Sequence, residues 1–389
     1  MRTAVSAPLA LVAAAFLLPT ASHAATFKTL HAFAAGSDGA DPIGGMINVG
    51  GYLYGTTLGG GATNSGTVFK VSRKTGAETV VYSFGGNPDG RQPYAGLINI
   101  HGILYGTTHL GGAGSYPSGT VFSIDPATGA EAVLHSFSGG SGGSDGGEPA
   151  APMINVHGIL YGTTQIGGPE NTGTVFTVNP ATGAETILYT FNANNGDGFT
   201  PLGALLNVHG TLYGTTENGG AANRGTVFKV NRKLGAESVV YSFGGGSDGS
   251  APSDALINFG GTLYGTTEGG GGTGCGGFGC GTVFSLDPGT GAEAVLYAFA
   301  GGSDGRSPYA SLVNFGGTLY GTTYFGGNAD GCGTVFSVEP STGAEAILYA
   351  FTCLSDGANP WAPLTGRHGV LYGATYDGAT GGTVFQLRP

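Results

Sequence analysis

Charged residues are scarce in this chain, and basic residues are the scarcest of them. The 389 residues include 13 Lys and Arg against 24 Asp and Glu, which gives a formal net charge of −11. Proteins that bind nucleic acids normally present a basic face to the phosphate backbone. The composition therefore argues against a nucleic-acid partner, and we expect none.

Long apolar segments are missing as well. The longest run, at residues 10–18, is too short to cross a bilayer, which needs about 20 apolar residues. Arg2 precedes this run, and the small residues Ser22 and Ala24 follow it, as in a signal peptide. We predict that residues 1–24 are a signal peptide, that the mature chain has no membrane span, and that it is secreted or periplasmic.

Cysteine is limited to four residues, namely Cys275, Cys280, Cys332 and Cys353. In an exported protein, such a set favours disulfides over metal or redox chemistry. The short spacing makes a local Cys275–Cys280 bridge plausible, which would leave Cys332 to pair with Cys353. Four cysteines allow three connectivities, and the sequence leaves all three open.

Glycine, in contrast, is abundant, with 80 residues, roughly three times the average share of about 7%. The glycines belong to a repeat built from four short segments. LYGTT, or LYGAT in the last copy, begins at Leu53, Leu104, Leu160, Leu212, Leu263, Leu319 and Leu371. GTVF begins at Gly66, Gly119, Gly173, Gly225, Gly281, Gly333 and Gly382. An LYSF-type segment covers residues 30–33, 81–84, 134–137, 188–191, 240–243, 296–299 and 348–351, and an LIN-type segment precedes each LYGTT.

These segments are rich in Val, Ile, Tyr, Phe and Thr and are bounded by turn residues, which is typical of β-strands. Four short strands in a unit of about 51–56 residues are typical of a propeller blade. The LYSF-type segment at 30–33 comes before the first full unit, whereas the last unit stops after GTVF. We predict an all-β, seven-bladed β-propeller, a single domain over residues 25–389, in which the N-terminal strand completes the last blade.

Within each blade, this arrangement predicts the strand order LIN, LYGTT, GTVF and LYSF from the axis outwards. Every connection between blades contains DGxxP, at residues 38–42, 89–93, 145–149, 197–201, 248–252, 304–308 and 356–360. Seven aspartates around an axis could bind Ca²⁺. The interpretation that we favour is structural, because Asp-Gly forms turns in which the carboxylate accepts bonds from nearby backbone amides. No other cofactor or metal is indicated.

Specific function on a repeat scaffold should lie where the copies differ. The residues that follow the DGxxP proline and the LYGTT segment share one face, near the mouth of the central channel. Those suited to ligand binding are Tyr94, Tyr309, Trp361, His109, Gln165, Tyr324 and Tyr376. Aromatic rings beside acids and amides suit a neutral or cationic polyhydroxylated ligand. The alternative is that these side chains only pack the rim.

Catalytic signals are weak. Glu217 and Glu268 occupy equivalent positions in adjacent blades and are the candidates for a glycosidase-type carboxylate pair. This face holds many acids, so such a pair also arises by chance. The G-x-S-x-G matches lie in glycine-rich connections instead of the strand–turn–helix that a serine nucleophile requires. His101, His157, His209 and His368 replace turn glycines, and His31 and His135 replace the usual tyrosine of the outer strand. We interpret all six as structural variants that do not indicate a metal site.

The unit LYGTTxxGG…GTVF…TGAExxLYxF…DGxxPxAxLIN resembles the GloVer tandem repeat of bacterial exported proteins, the Gloeobacter/Verrucomicrobia-type repeat. The resemblance covers nearly all of residues 25–389. It implies an exported or surface repeat protein without a settled activity, and it provides no catalytic residues to transfer. The hypothesis with most support is a secreted, non-catalytic binding or scaffold propeller, expected as a monomer, that recognises an extracellular glycan or protein. The alternative is an extracellular polysaccharide hydrolase or lyase.

Overall fold

Each repeat folds into a four-stranded antiparallel sheet, and seven such sheets form a propeller ring in the part of the chain that the structure describes. The structure is a computed structural model that describes residues 25–113, 118–139, 145–194, 196–378 and 380–389. The expected signal peptide lies outside these ranges. The sheet order is LIN, LYGTT, GTVF and LYSF, and the LIN strands of neighbouring blades approach one another at the axis. Both the fold and the strand order predicted from the repeat are confirmed.

Strand bounds recur from blade to blade. The inner strands are Ile47–Val49, Ile98–Ile100, Ile154–Val156, Leu206–Val208, Ile257–Phe259, Val313–Phe315 and Thr365–Arg367. The second strands are Tyr52–Thr57, Ile103–Thr108, Ile159–Thr164, Thr211–Thr216, Thr262–Thr267, Thr318–Thr323 and Val370–Thr375. The third strands are Thr67–Ser72, Thr120–Ile124, Thr174–Val178, Thr226–Asn231, Thr282–Leu286, Thr334–Val338 and Thr383–Arg388. The outer strands are Glu78–Ser83, Glu131–Ser136, Glu185–Thr190, Glu237–Ser242, Glu293–Ala298, Glu345–Ala350 and, in blade 7, Thr26–Ala32.

Short elements complete the ring. Two-residue ladders join three blade connections to the loops after the second strands, pairing Gly146–Gly147 with Ile166–Gly167, Gly198–Phe199 with Asn218–Gly219, and Gly249–Ser250 with Gly269–Gly270. Single 3-10 turns span Gly36–Asp38, Cys275–Gly277 and Gly302–Asp304. Among the described residues, no helix has the length and apolar character needed to cross a membrane.

The glycine of LYGTT makes room for the phenylalanine of GTVF on the adjacent strand. In blade 1, a Cβ added to Gly55 would lie 2.7 Å from Cζ of Phe69. The corresponding distance is 2.4–2.7 Å in all seven blades, closer than two carbon atoms can approach. A side chain at this position would displace the phenylalanine ring, which is fully buried. The repeated glycine therefore permits the repeated core.

Blades pack against one another through these same rings. The phenylalanine that follows each outer strand contacts the GTVF phenylalanine of the next blade edge to face, with centroids 5.0–5.3 Å apart and ring planes at 65–77°. The pairs are Phe33–Phe69, Phe84–Phe122, Phe137–Phe176, Phe191–Phe228, Phe243–Phe284, Phe299–Phe336 and Phe351–Phe385. This geometry is the favoured one for aromatic pairs.

The N-terminal strand closes the ring. Thr26–Ala32 pairs antiparallel with Thr383–Arg388, from Thr26 opposite Arg388 to Ala32 opposite Thr383. Beyond the strand, the Phe33 N–H donates to the Gly382 carbonyl over 3.0 Å. The predicted closure is confirmed.

Two disulfides reinforce the loops of blades 5 and 6. Cys275 bonds to Cys280 within one loop. Cys332 bonds to Cys353, with their Cα atoms 5.5 Å apart, which links the loop before the third strand of blade 6 to the connection after its outer strand. Of the three connectivities that the sequence left open, this is the one that contains the local Cys275–Cys280 bridge.

The DGxxP aspartate lies at the outer edge of the seam between two blades. Asp89 accepts hydrogen bonds from the Gly85 N–H over 2.6 Å and from the Tyr82 hydroxyl over 3.0 Å. All seven aspartates accept a bond from a backbone amide of their own loop. This supports the structural interpretation of DGxxP. Because each carboxylate lies at its own seam, the seven do not converge into a ring of Ca²⁺ ligands.

A glutamate from the next blade completes six of these seams. Burial and the neighbouring Asp89 raise the pKa of Glu131 to about 7, and the equivalent glutamates behave alike. At four seams the third group is a tyrosine, and we call these the Tyr seams: Tyr82–Asp89–Glu131, Tyr189–Asp197–Glu237, Tyr241–Asp248–Glu293 and Tyr297–Asp304–Glu345. At two, the His seams, it is a histidine: His31–Asp38–Glu78 and His135–Asp145–Glu185.

At the seventh seam, Phe27 stands where the other blades have glutamate. Its ring stacks on Tyr349, with centroids 3.9 Å apart and planes at 6°. The N-terminal strand thus contributes an aromatic contact that the other outer strands lack at this position.

We expect deletion of residues 25–33 to abolish cooperative unfolding. The deletion removes the pairing partner of Thr383–Arg388 and the fully buried Phe33, and it leaves the GTVF strand as an open sheet edge. Differential scanning calorimetry checks this, with Leu234→Ala as the control, because Leu234 is 79% exposed. An unchanged melting transition in the deletion variant would rule out closure as the source of stability.

We expect the melting temperature to fall as the pH rises from about 5 to about 8. The seam glutamates have a pKa of about 7 in the folded chain and an ordinary value of 4.5. Between those values the folded state binds more protons than the unfolded state, so stability decreases with rising pH. The lowered pKa of His109 has the opposite effect on stability, but His109 is one group and the seam glutamates are six.

The matched variants for this pH dependence are Glu237→Gln together with Glu293→Gln. Glutamine keeps the shape and cannot ionise, so thermal melts at both pH values should show a flatter profile. Exposed Glu170→Gln is the control and should leave the profile unchanged. Equal pH slopes in all three proteins would show that the seams do not titrate as described.

Candidate functional site

A cavity of about 450 Å³ opens on the face that carries the DGxxP loops. Every blade contributes to it the residue that follows its DGxxP proline, so the cavity lies on the axis of the ring. These residues are Ile43, Tyr94, Ala150, Leu202, Ser253, Tyr309 and Trp361. The predicted variable face and its central mouth are thus one cavity.

A close contact between the DGxxP proline and the preceding blade fixes the direction in which these residues approach the axis. Gly66, the first residue of GTVF in blade 1, has φ +92°, and a Cβ there would lie 2.6 Å from Cδ of Pro93. Only glycine allows this close approach of the loop to the preceding blade. Equivalent contacts recur around the ring, so the chain after each proline enters the inner strand from one fixed direction.

One side of the cavity is aromatic. The rings of Tyr309 and Trp361 stack with centroids 4.9 Å apart and planes at 12°. Tyr324 meets both edge to face, at 5.4 and 5.3 Å, and Tyr376 lies 6.3 Å from Trp361. Trp361 stays 37% exposed in spite of these contacts. The four rings come from blades 6 and 7.

The other side is acidic. Glu217 and Glu268, from blades 4 and 5, both line the cavity. The hydroxyl of Tyr309 donates to Oε1 of Glu268 over 2.6 Å, which joins the aromatic side to the acidic side. Burial, and secondarily the charge of Glu268, raises the pKa of Glu217. The two candidate catalytic carboxylates are therefore neighbours, and the charge of Glu268 acts on Glu217.

Asp254 also lines the cavity, and sequence reasoning did not select it as a site residue. Its carboxylate accepts bonds from the backbone N–H groups of Ala255 and Ser311, each over 2.6 Å. Burial nevertheless raises its pKa to about 6. The signal was available, because the other copies have only Gly or Ala at this position: Gly44, Ala95, Ala151, Gly203, Ala310 and Ala362.

The remaining candidates divide into two groups. Gln165 and Tyr94 line the cavity directly. His109, Tyr324 and Tyr376 are not among the residues that line it. Each instead packs against a lining ring, as His109 does against Tyr94 with centroids 4.6 Å apart. Burial lowers the pKa of His109, and its Nε2 lies 4.0 Å from Oε2 of Glu148.

The turn histidines have a backbone role. His101, His157, His209 and His368 have φ between 48° and 53°, the left-handed region. Gly50, Gly260 and Gly316 occupy the same turns in other blades with φ of 58–68°. The histidines thus replace turn glycines, as the repeat alignment indicated.

Comparison with models of known protein families identifies the family of this chain. The model of the Gloeobacter/Verrucomicrobia repeat matches residues 17–144, 139–278 and 274–389. The chain belongs to this repeat family. No curated protein sequence matches it.

Solved structures similar to this Gloeobacter/Verrucomicrobia repeat protein share its fold. The extracellular domain of a proposed hybrid two-component system from B. thetaiotaomicron aligns with a TM-score of 0.60 at 11% identity, covering 92% of this chain and 39% of that one. The repeat protein therefore spans well under half of that longer chain. A candidate 6-phosphogluconolactonase from Bacteroides uniformis aligns with a TM-score of 0.52 at 16% identity, covering 83% and 88% of the two chains. At such identities the likeness concerns the fold alone.

Proposed function

We propose that this protein is an exported, non-catalytic binding propeller whose ligand, a polyhydroxylated molecule such as a segment of an extracellular glycan, occupies the axial cavity. The observation that carries the proposal is Trp361, which lies at the cavity and keeps more than a third of its surface exposed. An exposed tryptophan supported by Tyr309 and Tyr324 offers a rigid apolar platform.

Such a platform suits a sugar ring. The apolar face of a pyranose packs on an aromatic ring, and its hydroxyl groups need hydrogen-bond partners at the edges. Gln165, Glu217, Glu268 and Ser253 provide these partners around the same cavity. A cavity of about 450 Å³ is within the range of about 300–1,000 Å³ that small-ligand sites occupy.

The acidic side sets a preference for charge. Glu217, Glu268 and Asp254 all line the cavity, and the chain as a whole has a formal net charge of −11. A carboxylate-rich site disfavours anionic ligands and favours neutral or cationic ones. We therefore expect neutral glycans or amino sugars to bind in preference to uronic-acid polymers.

The proposed export rests on two features. The N-terminal segment has the pattern of a signal peptide, and the four cysteines form two disulfides, which persist in oxidising compartments. Under this proposal the protein acts outside the cytoplasm, where extracellular glycans are accessible.

A polysaccharide hydrolase is the second candidate. The observation in its favour is the carboxylate pair, in which Glu217 has a raised pKa beside Glu268. A carboxyl group with a raised pKa next to a second carboxyl group is the arrangement that glycoside hydrolysis uses. The hydrogen bond from the Tyr309 hydroxyl holds the Glu268 carboxylate in position beside Glu217.

The first experiment is native affinity electrophoresis of residues 25–389 through gels that contain neutral, amino-sugar or uronic-acid polysaccharides. We expect a neutral or amino-sugar polymer to retard the protein. Trp361→Ala should weaken this binding by roughly tenfold, or about 1.4 kcal/mol, by removing the stacking platform. Leu234→Ala, which changes an exposed apolar residue on the opposite face, should migrate like the parent chain. No retardation in any gel, or equal retardation of both variants, would contradict the proposed site.

The second experiment separates binding from hydrolysis. We expect the polymer behind the protein band to remain intact, and Glu217→Gln with Glu268→Gln to alter only affinity. Reducing-end release during incubation with the retarding polymer measures turnover. Turnover in the parent chain that disappears in the double variant, with retardation retained, would establish the hydrolase instead.

A further inference from the structure

The two His seams hold chemistry that the Tyr seams do not. At each of them, one imidazole nitrogen and one oxygen from each of two carboxylates lie within 4.8 Å of one another. In the first, Nε2 of His31 is 3.3 Å from Oδ2 of Asp38, with Glu78 facing both. In the second, Nε2 of His135 is 3.5 Å from Oδ1 of Asp145, with Glu185 facing both.

Several of these donor atoms have unused coordination capacity. Oε1 of the seam glutamate is buried without a hydrogen-bond partner at all six seams that contain one, the Tyr seams included, and at the second His seam Nε2 of His135 is buried without one as well. Buried polar atoms normally find a partner, so atoms without one indicate a missing ligand or proton. Among the described residues, no Lys or Arg nitrogen lies within 4.0 Å of any carboxylate. The paired carboxylates of each His seam thus have no permanent cation beside them.

The Tyr seams serve as an internal comparison. There the tyrosine hydroxyl donates one proton to the aspartate, as from Tyr189 to Asp197 over 2.8 Å, and a phenol offers little to a metal. Imidazole nitrogen is the commonest protein ligand of transition metals. The two carboxylates are the same at both kinds of seam. Histidine in place of tyrosine therefore gives a possible ligand set of one nitrogen and two oxygen atoms.

We propose that each His seam binds one divalent transition-metal ion of the Zn²⁺ type, which ties the outer edges of two neighbouring blades together. Zn²⁺ accepts histidine nitrogen and carboxylate oxygen at about 2.0–2.2 Å, with water in the remaining position. Donors on such an ion lie about 3.4 Å apart, so the histidine and aspartate atoms are already spaced correctly. The glutamate oxygen lies within 4.8 Å of both and would have to move closer to join them.

The arrangement gives the metal a structural role. Glu78 and Glu185 belong to the blade that follows the seam, whereas the histidines belong to the blade that precedes it. One ion would therefore bridge blades 7 and 1, beside the closure of the ring, and the other would bridge blades 2 and 3. Both sites are distant from the axial cavity, so this proposal does not depend on the proposed function.

The test measures Zn²⁺ bound to residues 25–389 without an affinity tag, after chelator treatment and dialysis against micromolar Zn²⁺. Elemental mass spectrometry should find two Zn²⁺ ions per parent chain. The double variant His31→Tyr with His135→Tyr should bind none. Tyrosine restores the residue found at the Tyr seams, so this variant is expected to fold. Zn²⁺ should raise the melting temperature of the parent chain but not that of the double variant.

Three further variants make the result unambiguous. His157→Gly with His209→Gly removes two turn histidines and should leave two ions bound. Tyr189→His creates a third His seam and should raise the count to three. Should the tyrosine variant fail to fold, Glu78→Gln with Glu185→Gln replaces one carboxylate ligand at each site by a neutral amide and should lower the affinity for Zn²⁺ at least tenfold. A parent chain that binds no Zn²⁺, or seam variants that bind as much as the parent, would overturn the proposal.

Discussion

The contact between two phenylalanine rings at every blade boundary is the interaction on which this fold depends. Each ring is buried, and each pair joins the end of an outer strand to the third strand of the next blade. The pair fits only because the LYGTT glycine leaves space beneath one ring, as Gly55 does for Phe69. A blade cannot bury this face alone, since half of the pair belongs to its neighbour. The same contact therefore explains the repeat, the glycine content and the need for Phe33 to close the ring.

The repeat fixes the strands and the contacts between blades. Side chains therefore vary between copies at only a few positions, and these positions have different roles. At the axis, the residues after the DGxxP proline change from Ile43 to Tyr94 to Trp361 without altering the backbone that carries them. At the seams, tyrosine changes to histidine twice, at His31 and His135. Both kinds of change lie at the ends or edges of strands, where a new side chain disturbs little of the core. A scaffold of this kind can acquire a binding site without losing stability.

The sequence predicted the fold in detail because the repeat is strict. Strand order and ring closure followed from the spacing of short motifs and the position of one strand before the first unit, whereas the disulfide pairing was left open among three connectivities. The site was predicted less completely. Trp361, Glu217 and Glu268 were selected because they differ from their counterparts, and the structure places all three at one cavity. Asp254 was missed as a site residue, and His31 and His135 were dismissed as substitutions of tyrosine, because a sequence does not show which atoms face one another across two blades.

What the sequence determined by itself is everything that local pattern and repetition control, namely the strands, their turns and the number of blades. Backbone hydrogen bonding and steric fit within a blade act over a few residues, and the same short segments recur in all seven blades. Only the tertiary structure decided which variable side chains meet. Tyr309 reaches Glu268 across 41 residues, and Glu185 faces His135 from the next blade. Such contacts depend on the curvature of the ring, which arises from the packing of all seven blades together and has no local signature in the chain.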